Sequence, residues 1–206
     1  MFKIIYEDEY LIAADKPSGM LCIPAPGNEK NTLTDLLNRE LAGRGVSVKA
    51  HPCHRLDRET SGVILYAKGK KMQQTVMELF YKQQVKKKYI AFVRGNPAKK
   101  AAVISLPIEN KPAVTRYRIL EYKNGFSVAE VEPQTGRTNQ IRIHFRKINH
   151  PLLGETKFAF RRDFEIKFKR VALHSHELEF THPSTGQKIV LTAPLAGDMQ
   201  KFLDLN

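Results

Sequence analysis

Residues 51–67 read His51-Pro52-Cys53-His54-Arg55-Leu56-Asp57-Arg58-Glu59-Thr60-Ser61-Gly62-Val63-Ile64-Leu65-Tyr66-Ala67. The last five form a compact apolar run with two β-branched members, which predicts a buried strand entered from Gly62. The polar residues ahead of it then belong to a loop at the mouth of that strand. Asp57 lies in this loop between Arg55 and Arg58. Flanking cations favour an ionised carboxylate, the state that a nucleophile or a base requires. The same residues also read as an Arg–Asp salt bridge that does no more than fix the loop. His51 and His54 have no further His or Cys at a supporting spacing, so no metal is expected.

Elements on either side set the fold class. Residues 3–6 and 10–14 predict a hairpin across the acidic turn Glu7-Asp8-Glu9, followed by a turn at residues 15–19. Leu33, Leu36, Leu37 and Leu41 share a helical face, with Asn31 or Thr32 as N-cap and Gly43 as the stop. Met72, Val76, Leu79 and Phe80 repeat at helical spacing within 70–84, a stripe read as core. Residues 89–93 read as a strand closed by Gly95-Asn96-Pro97, and strand-like alternation returns at 115–120 and 126–131. A helix is predicted from Thr138, its candidate cap, to about Ile148. Many strands with a few interspersed helices make an α+β protein. No repeat, low-complexity tract or linker interrupts the chain, so residues 1–206 read as one domain.

Charge narrows the function. The 206 residues carry a formal net charge of +13, and it is uneven. Residues 1–50 hold six basic and seven acidic side chains, whereas 51–100 hold twelve and three. Such an excess suits a polyanionic partner, although a solvated lysine-rich surface has the same composition. No apolar run approaches the roughly 18–20 residues of a membrane helix, and the N-terminus turns acidic where a secretory signal stays apolar. A soluble cytoplasmic protein is expected. Cys22 and Cys53 show no metal-binding spacing and predict no disulfide framework.

Two other clusters carry candidate chemistry. In residues 135–144 a glycine turn opens a short helix whose backbone N–H groups, with Arg137 and Arg142, suit a phosphate. Arg137 and Arg142 are five apart and point to different faces. A basic amphipathic helix packed through Ile141, Ile143 and Phe145 is the plainer reading. In Lys86-Lys87-Lys88-Tyr89 a basic run meets an aromatic ring, the combination that holds single-stranded RNA by neutralisation and stacking. It equally describes a solvated strand end.

In their order along the chain these clusters resemble the RluA family of pseudouridine synthases. The signature HRLDxxTSG is matched in full by residues 54–62. The resemblance takes in DKPSGM at 15–20, Lys87-Lys88-Tyr89-Ile90-Ala91 and Gly136-Arg137-Thr138-Asn139-Gln140-Ile141-Arg142. It continues through His150-Pro151-Leu152-Leu153-Gly154 and Leu173-His174-Ser175 to His182-Pro183-Ser184-Thr185-Gly186.

The resemblance implies a pseudouridine synthase fold: a central, mainly antiparallel mixed sheet flanked by short helices and loops, with a cleft across it. It makes Asp57 the essential carboxylate, pairs Arg142 with it, packs Tyr89 against the target base and lines the uracil pocket with Leu173. Arg55 would hold the RNA open, and His54, Thr60, Lys88, Arg137, Asn139 and Gln140 are further substrate-binding candidates. No cofactor or metal is implied. The partner is structured ribosomal or transfer RNA, and a monomer is expected. Asn139 stands where the family usually has His, so a proton-shuttling role there is not carried over. The motifs begin at residue 15, so the S4 domain common in the family is not expected, and RNA affinity is assigned to the catalytic domain. A non-catalytic RNA-binding or chaperone domain on the same scaffold, and a base-excising glycosylase, are the rival readings.

Overall fold

The computed structural model describes residues 2–24, 31–160 and 165–206. It contains two compact units, Met1–Lys86 with Glu177–Pro194 and Lys87–His176 with Leu195–Asn206. The described residues form ten strands and four helices, the α+β class read from the sequence.

In the first unit β1 (Lys3–Glu7) and β2 (Leu11–Lys16) form the expected hairpin, and β2 pairs antiparallel with β4 (Ser61–Lys68). The short β3 (Ala50–Pro52) also pairs with β4. Asp8 shapes the hairpin turn: its carboxylate accepts the backbone N–H groups of Tyr10 and Leu11 at 2.7 and 2.6 Å. Helix α1 (Leu33–Gly43) starts at Thr32, which forms a capping box with Asp35, and it buries Leu33, Leu37 and Leu41. Helix α2 (Lys70–Tyr81) buries Val76 completely and packs Met72, Leu79 and Phe80 against a core of Leu11, Val63, Leu65, Leu178 and Leu191. It ends three residues before the predicted Gln84. Lys82 caps it, and Gln83 takes a left-handed φ of 58° so that the chain can reverse into the next strand.

The second unit has the strand order β5-β8-β7-β6, with β5 at Lys86–Arg94, β6 at Ala101–Ile104, β7 at Thr115–Tyr122 and β8 at Phe126–Pro133. All three pairings are antiparallel. Helix α3 (Gln140–Lys147) covers them, burying Ile141 and Phe145 beside Val93, Tyr117, Val131 and Leu173. Thr138, the candidate cap, does not cap it. The N-cap is Asn139, in the left-handed region at φ 53° and ψ 23°, a conformation asparagine tolerates better than threonine. Nor is the buried face purely apolar: Gln140, Arg142 and His144 are buried, whereas Ile143 is only half-buried. Strand β9 (Leu173–Thr181) runs from the second unit into the first, where it pairs with β10 (Lys188–Thr192). Helix α4 (Gly197–Asp204) closes the chain.

Candidate active site

The loop carrying Asp57 is held from beneath by residues 16–22. Lys16 is completely buried, and its Nζ donates to the carbonyls of Pro17, Met20 and Arg58 at 3.1, 2.8 and 3.1 Å. The N–H of Gly19 donates to Arg58 O at 2.8 Å, the Nε of Arg58 returns a bond to Gly19 O, and the Ser18 hydroxyl donates to Glu59 O at 2.7 Å. Cys22 grips Leu56 from both ends: its thiol donates to Leu56 O and accepts Leu56 N–H, each at 3.4 Å. Burial pushes the Cys22 thiol up, so it stays a neutral donor. Thr60 N–H closes the turn onto Asp57 O at 3.1 Å. The backbone is thus tied at residues 56, 57, 58 and 59, and this fixes where the Asp57 side chain starts.

His54 helps to hold the same loop. Its Nε2 accepts Leu65 N–H at 3.0 Å, and its ring stacks on Phe80 of α2 with centroids 4.7 Å apart. Gln73 of α2 donates to Pro52 O at 2.8 Å. The nitrogen that bonds Leu65 is therefore committed to the fold, so His54 joins loop, strand and helix. Arg55 is exposed and forms no hydrogen bond or ion pair among the described residues. It is available to a ligand.

Lys16 yields a direct test of the support. Lys16→Met keeps the stem and removes three donors from three carbonyls, so a loss of about 2–3 kcal/mol is expected. Urea denaturation reads it as a lowered midpoint at unchanged slope. An unchanged midpoint would mean that the loop does not depend on the ammonium.

In the second unit α3 presents Arg142 from a buried position. Its Nε and Nη2 donate to Glu155 at 2.7 and 2.8 Å, and Nη1 donates to Asn139 Oδ1 at 3.1 Å. The Phe158 ring lies 5.2 Å from the guanidinium carbon. Glu155 also accepts the N–H groups of Lys157 and Phe158 at 2.8 and 3.2 Å. Burial pushes the Glu155 carboxyl up, but the hydrogen bonds from Arg142, Lys157 and Phe158 and the Arg142 charge outweigh it, so the pKa is lowered. Gly154 makes this turn possible. Its φ is +73°, and a Cβ there would lie 1.8 Å from Arg170 O.

Gln140, expected to touch substrate, is saturated by the fold. Its Oε1 accepts from Thr135 Oγ1 and Arg137 N at 2.7 and 3.0 Å, while Nε2 donates to Val114 O and Thr115 Oγ1, both at 2.9 Å. His144 extends the network, its Nδ1 facing Thr115 Oγ1 and its Nε2 facing Leu106 O, both at 2.9 Å. Burial lowers the His144 pKa. Arg137 is exposed, with Nε bound to Pro112 O at 3.0 Å. Asn139 supports Arg142 through its side-chain oxygen.

Tyr89, half-buried on β5, and Leu173, the buried first residue of β9, belong to one apolar cluster with Val131, Ile141 and Phe145. Strand alternation separates Lys88 from Tyr89 and places Lys87 on the tyrosine's face. Burial lowers the Lys87 pKa, and the side chain has no hydrogen-bond or ion-pair partner among the described residues. In the sequence Lys87 stands only as part of a basic run and Lys16 only within a turn motif, and Glu155 carries no expected role. Strand parity would have singled out Lys87 over Lys88, whereas nothing local marks Lys16 or Glu155.

Comparison with known proteins points to one family. The family described as RNA pseudouridylate synthase matches residues 10–147. The chain is 34% identical to ribosomal large subunit pseudouridine synthase D of Nitrosomonas europaea, covering 98% of this chain and 64% of that one. It is 33% identical to the uncharacterized RNA pseudouridine synthase YlyB of Bacillus subtilis, covering 98% and 71%. The chain thus spans about two thirds of the length of these relatives. Among solved structures, human RNA pseudouridylate synthase domain containing 4 superimposes with a TM-score of 0.82 at 25% identity, covering 98% of this chain and 91% of that one. With the motif residues on a fold of that kind, the chain belongs to the RNA pseudouridylate synthase family.

Proposed function

We propose that the protein isomerises uridine to pseudouridine within a structured RNA, with Asp57 as the essential carboxylate. The observation that carries this reading is the backbone tether on residues 56–59, which holds the loop around one aspartate more firmly than a surface salt bridge requires. In the reaction the N1–C1′ bond breaks, uracil turns, C5 bonds to C1′, the C5 proton leaves and N1 gains one. Asp57 acts at the ribose, either attacking C1′ or abstracting a ribose proton. Arg142 supplies the charge that the family resemblance pairs with that carboxylate, Tyr89 packs on the base, Leu173 lines its pocket, and Arg55 enters the stack vacated by the flipped nucleotide. Flipping costs a few kcal/mol, and phosphate contacts from the basic chain offset it.

Relatives named for the large ribosomal subunit make large-subunit ribosomal RNA the first substrate to try, with transfer RNA the second. The test uses unmodified transcripts of both, tritiated at uridine C5. Release of tritium without free uracil is the expected result. Free uracil would indicate a glycosylase, and binding without release would indicate a non-catalytic RNA-binding domain.

A further inference from the structure

Helix α2 is strongly two-sided, and its outer side has no role in the fold. The inner side packs Met72, Val76, Leu79 and Phe80 into the first unit's core. Lys70, Lys71, Gln74, Met77, Glu78 and Tyr81 face outward, with Tyr81 87% and Met77 48% exposed. A tyrosine that exposed has lost the burial that normally repays an aromatic side chain.

Its other end is equally uneconomical. Lys70 and Lys71 occupy the first turn, where the helix dipole favours acidic residues; no acid is present, and the N-cap Gly69 provides no side-chain bond. Gly69 N–H donates to Lys49 O at 2.9 Å, which brings a third exposed lysine to the same spot. None of the three forms a hydrogen bond through its ammonium or an ion pair among the described residues. The one acid on this face, Glu78, is bound to Lys82 at 3.1 Å. Sequence features that act against helix stability yet gather like charge point to a ligand of opposite charge.

The face also leads to the Asp57 loop. Phe80, next to Tyr81, is stacked on His54, three residues before Asp57. From Tyr81 the helix runs back to Lys70, about 17 Å at 1.5 Å per residue.

We propose that the outer face of α2 is an RNA-docking surface flanking the active-site loop, with Tyr81 stacking on an unpaired base and Lys49, Lys70 and Lys71 neutralising phosphates. The proposal rests on the RNA reading above and extends it to a surface that none of the recognised motifs includes. The occupant is nucleic acid because the face offers uncompensated cations and a bare aromatic ring, the pair of features that binds single-stranded segments.

The test compares wild type, Tyr81→Ala, Tyr81→Phe and the triple variant Lys49→Ala/Lys70→Ala/Lys71→Ala. Binding is measured to unmodified large-subunit ribosomal RNA and transfer RNA transcripts over a salt series, with C5-tritium release at saturating RNA. Tyr81→Ala should weaken binding about fivefold or more, and Tyr81→Phe should restore it, because stacking uses the ring. The triple variant should lower the slope of log affinity against log salt by about 2. Its thermal midpoint should stay level or rise, since alanine suits the first turn better than lysine. Tritium release at saturation should be unchanged in all variants. Wild-type affinity and salt slope in both Tyr81→Ala and the triple variant would overturn the docking surface, as would equal losses in Tyr81→Ala and Tyr81→Phe. A wild type that binds RNA but releases no tritium would overturn the proposed reaction instead, while the binding comparisons still decide the surface.

Discussion

Asp57→Asn should abolish tritium release, by about a thousandfold or more, the scale seen when an enzyme loses its reacting side chain. Asparagine matches aspartate in shape but exchanges one accepting oxygen for a donating NH2, and it can neither attack C1′ nor take a ribose proton at neutral pH. The substitution is informative because the loop is held by its backbone. Cys22 binds Leu56, Lys16 and Gly19 bind Arg58, and Ser18 binds Glu59, all without the Asp57 side chain. The loop should therefore keep its course, and RNA affinity should stay within about twofold, roughly 0.5 kcal/mol, the usual range for a change away from packing. More than a tenth of wild-type activity in Asp57→Asn would refute the assignment. Inactivity with an equal loss of RNA binding would instead place Asp57 among the groups that hold the loop.

Glu155→Ala should produce the largest loss of stability. Arg142 and Glu155 form a buried bidentate pair, and Glu155 in addition anchors the N–H groups of Lys157 and Phe158. Removing one partner of a buried ion pair strips the other charge of the hydrogen bonds that held it, a cost of about 3–5 kcal/mol. For a chain of this size that corresponds to a thermal midpoint lower by roughly 8–15 °C. Activity should fall as well, because two of the hydrogen bonds that orient Arg142 end on Glu155.

The pH dependence gives an independent check. The Glu155 pKa is lowered in the folded protein, so its contribution is fully present above the ordinary value of 4.5 and is lost as pH falls through the folded value. The gap between wild-type and Glu155→Ala stability should narrow on acidification below about pH 4.5 and stay constant between pH 6 and 8. A constant gap down to the lowest pH at which both proteins fold would mean that the pair adds nothing through its charge.

The elements most legible in the sequence are those whose signals are local. Leu33, Leu36, Leu37 and Leu41 repeat with the helical period, Thr32 closes a capping box, and Val63–Ala67 is apolar enough to be buried in any fold of this class. The start of α3 is not legible locally, because Thr138 is the commoner type of cap, yet the chain makes a left-handed turn at Asn139, which also brings that side chain to Arg142. Gln140 and His54 carry side chains that commonly touch substrate, and both are engaged by backbone and neighbouring groups from other segments. Which polar side chains a fold consumes depends on long-range contacts, and these have no signature in a window of a few residues.

By itself the sequence determined the fold class, the order of the main elements, the basic excess of residues 51–100 and the motif residues around Asp57, Tyr89 and Arg142, because period, charge and motif spacing are properties of the chain. Only the tertiary structure decided what supports them. Lys16 reaches Arg58 across 42 positions and Arg142 meets Glu155 across 13, while α2 turns Tyr81 outward beside the His54–Phe80 stack. Burial and pairing arise where distant segments pack together, so a lysine, a glutamate and a tyrosine that look ordinary along the chain acquire their roles only in the folded protein.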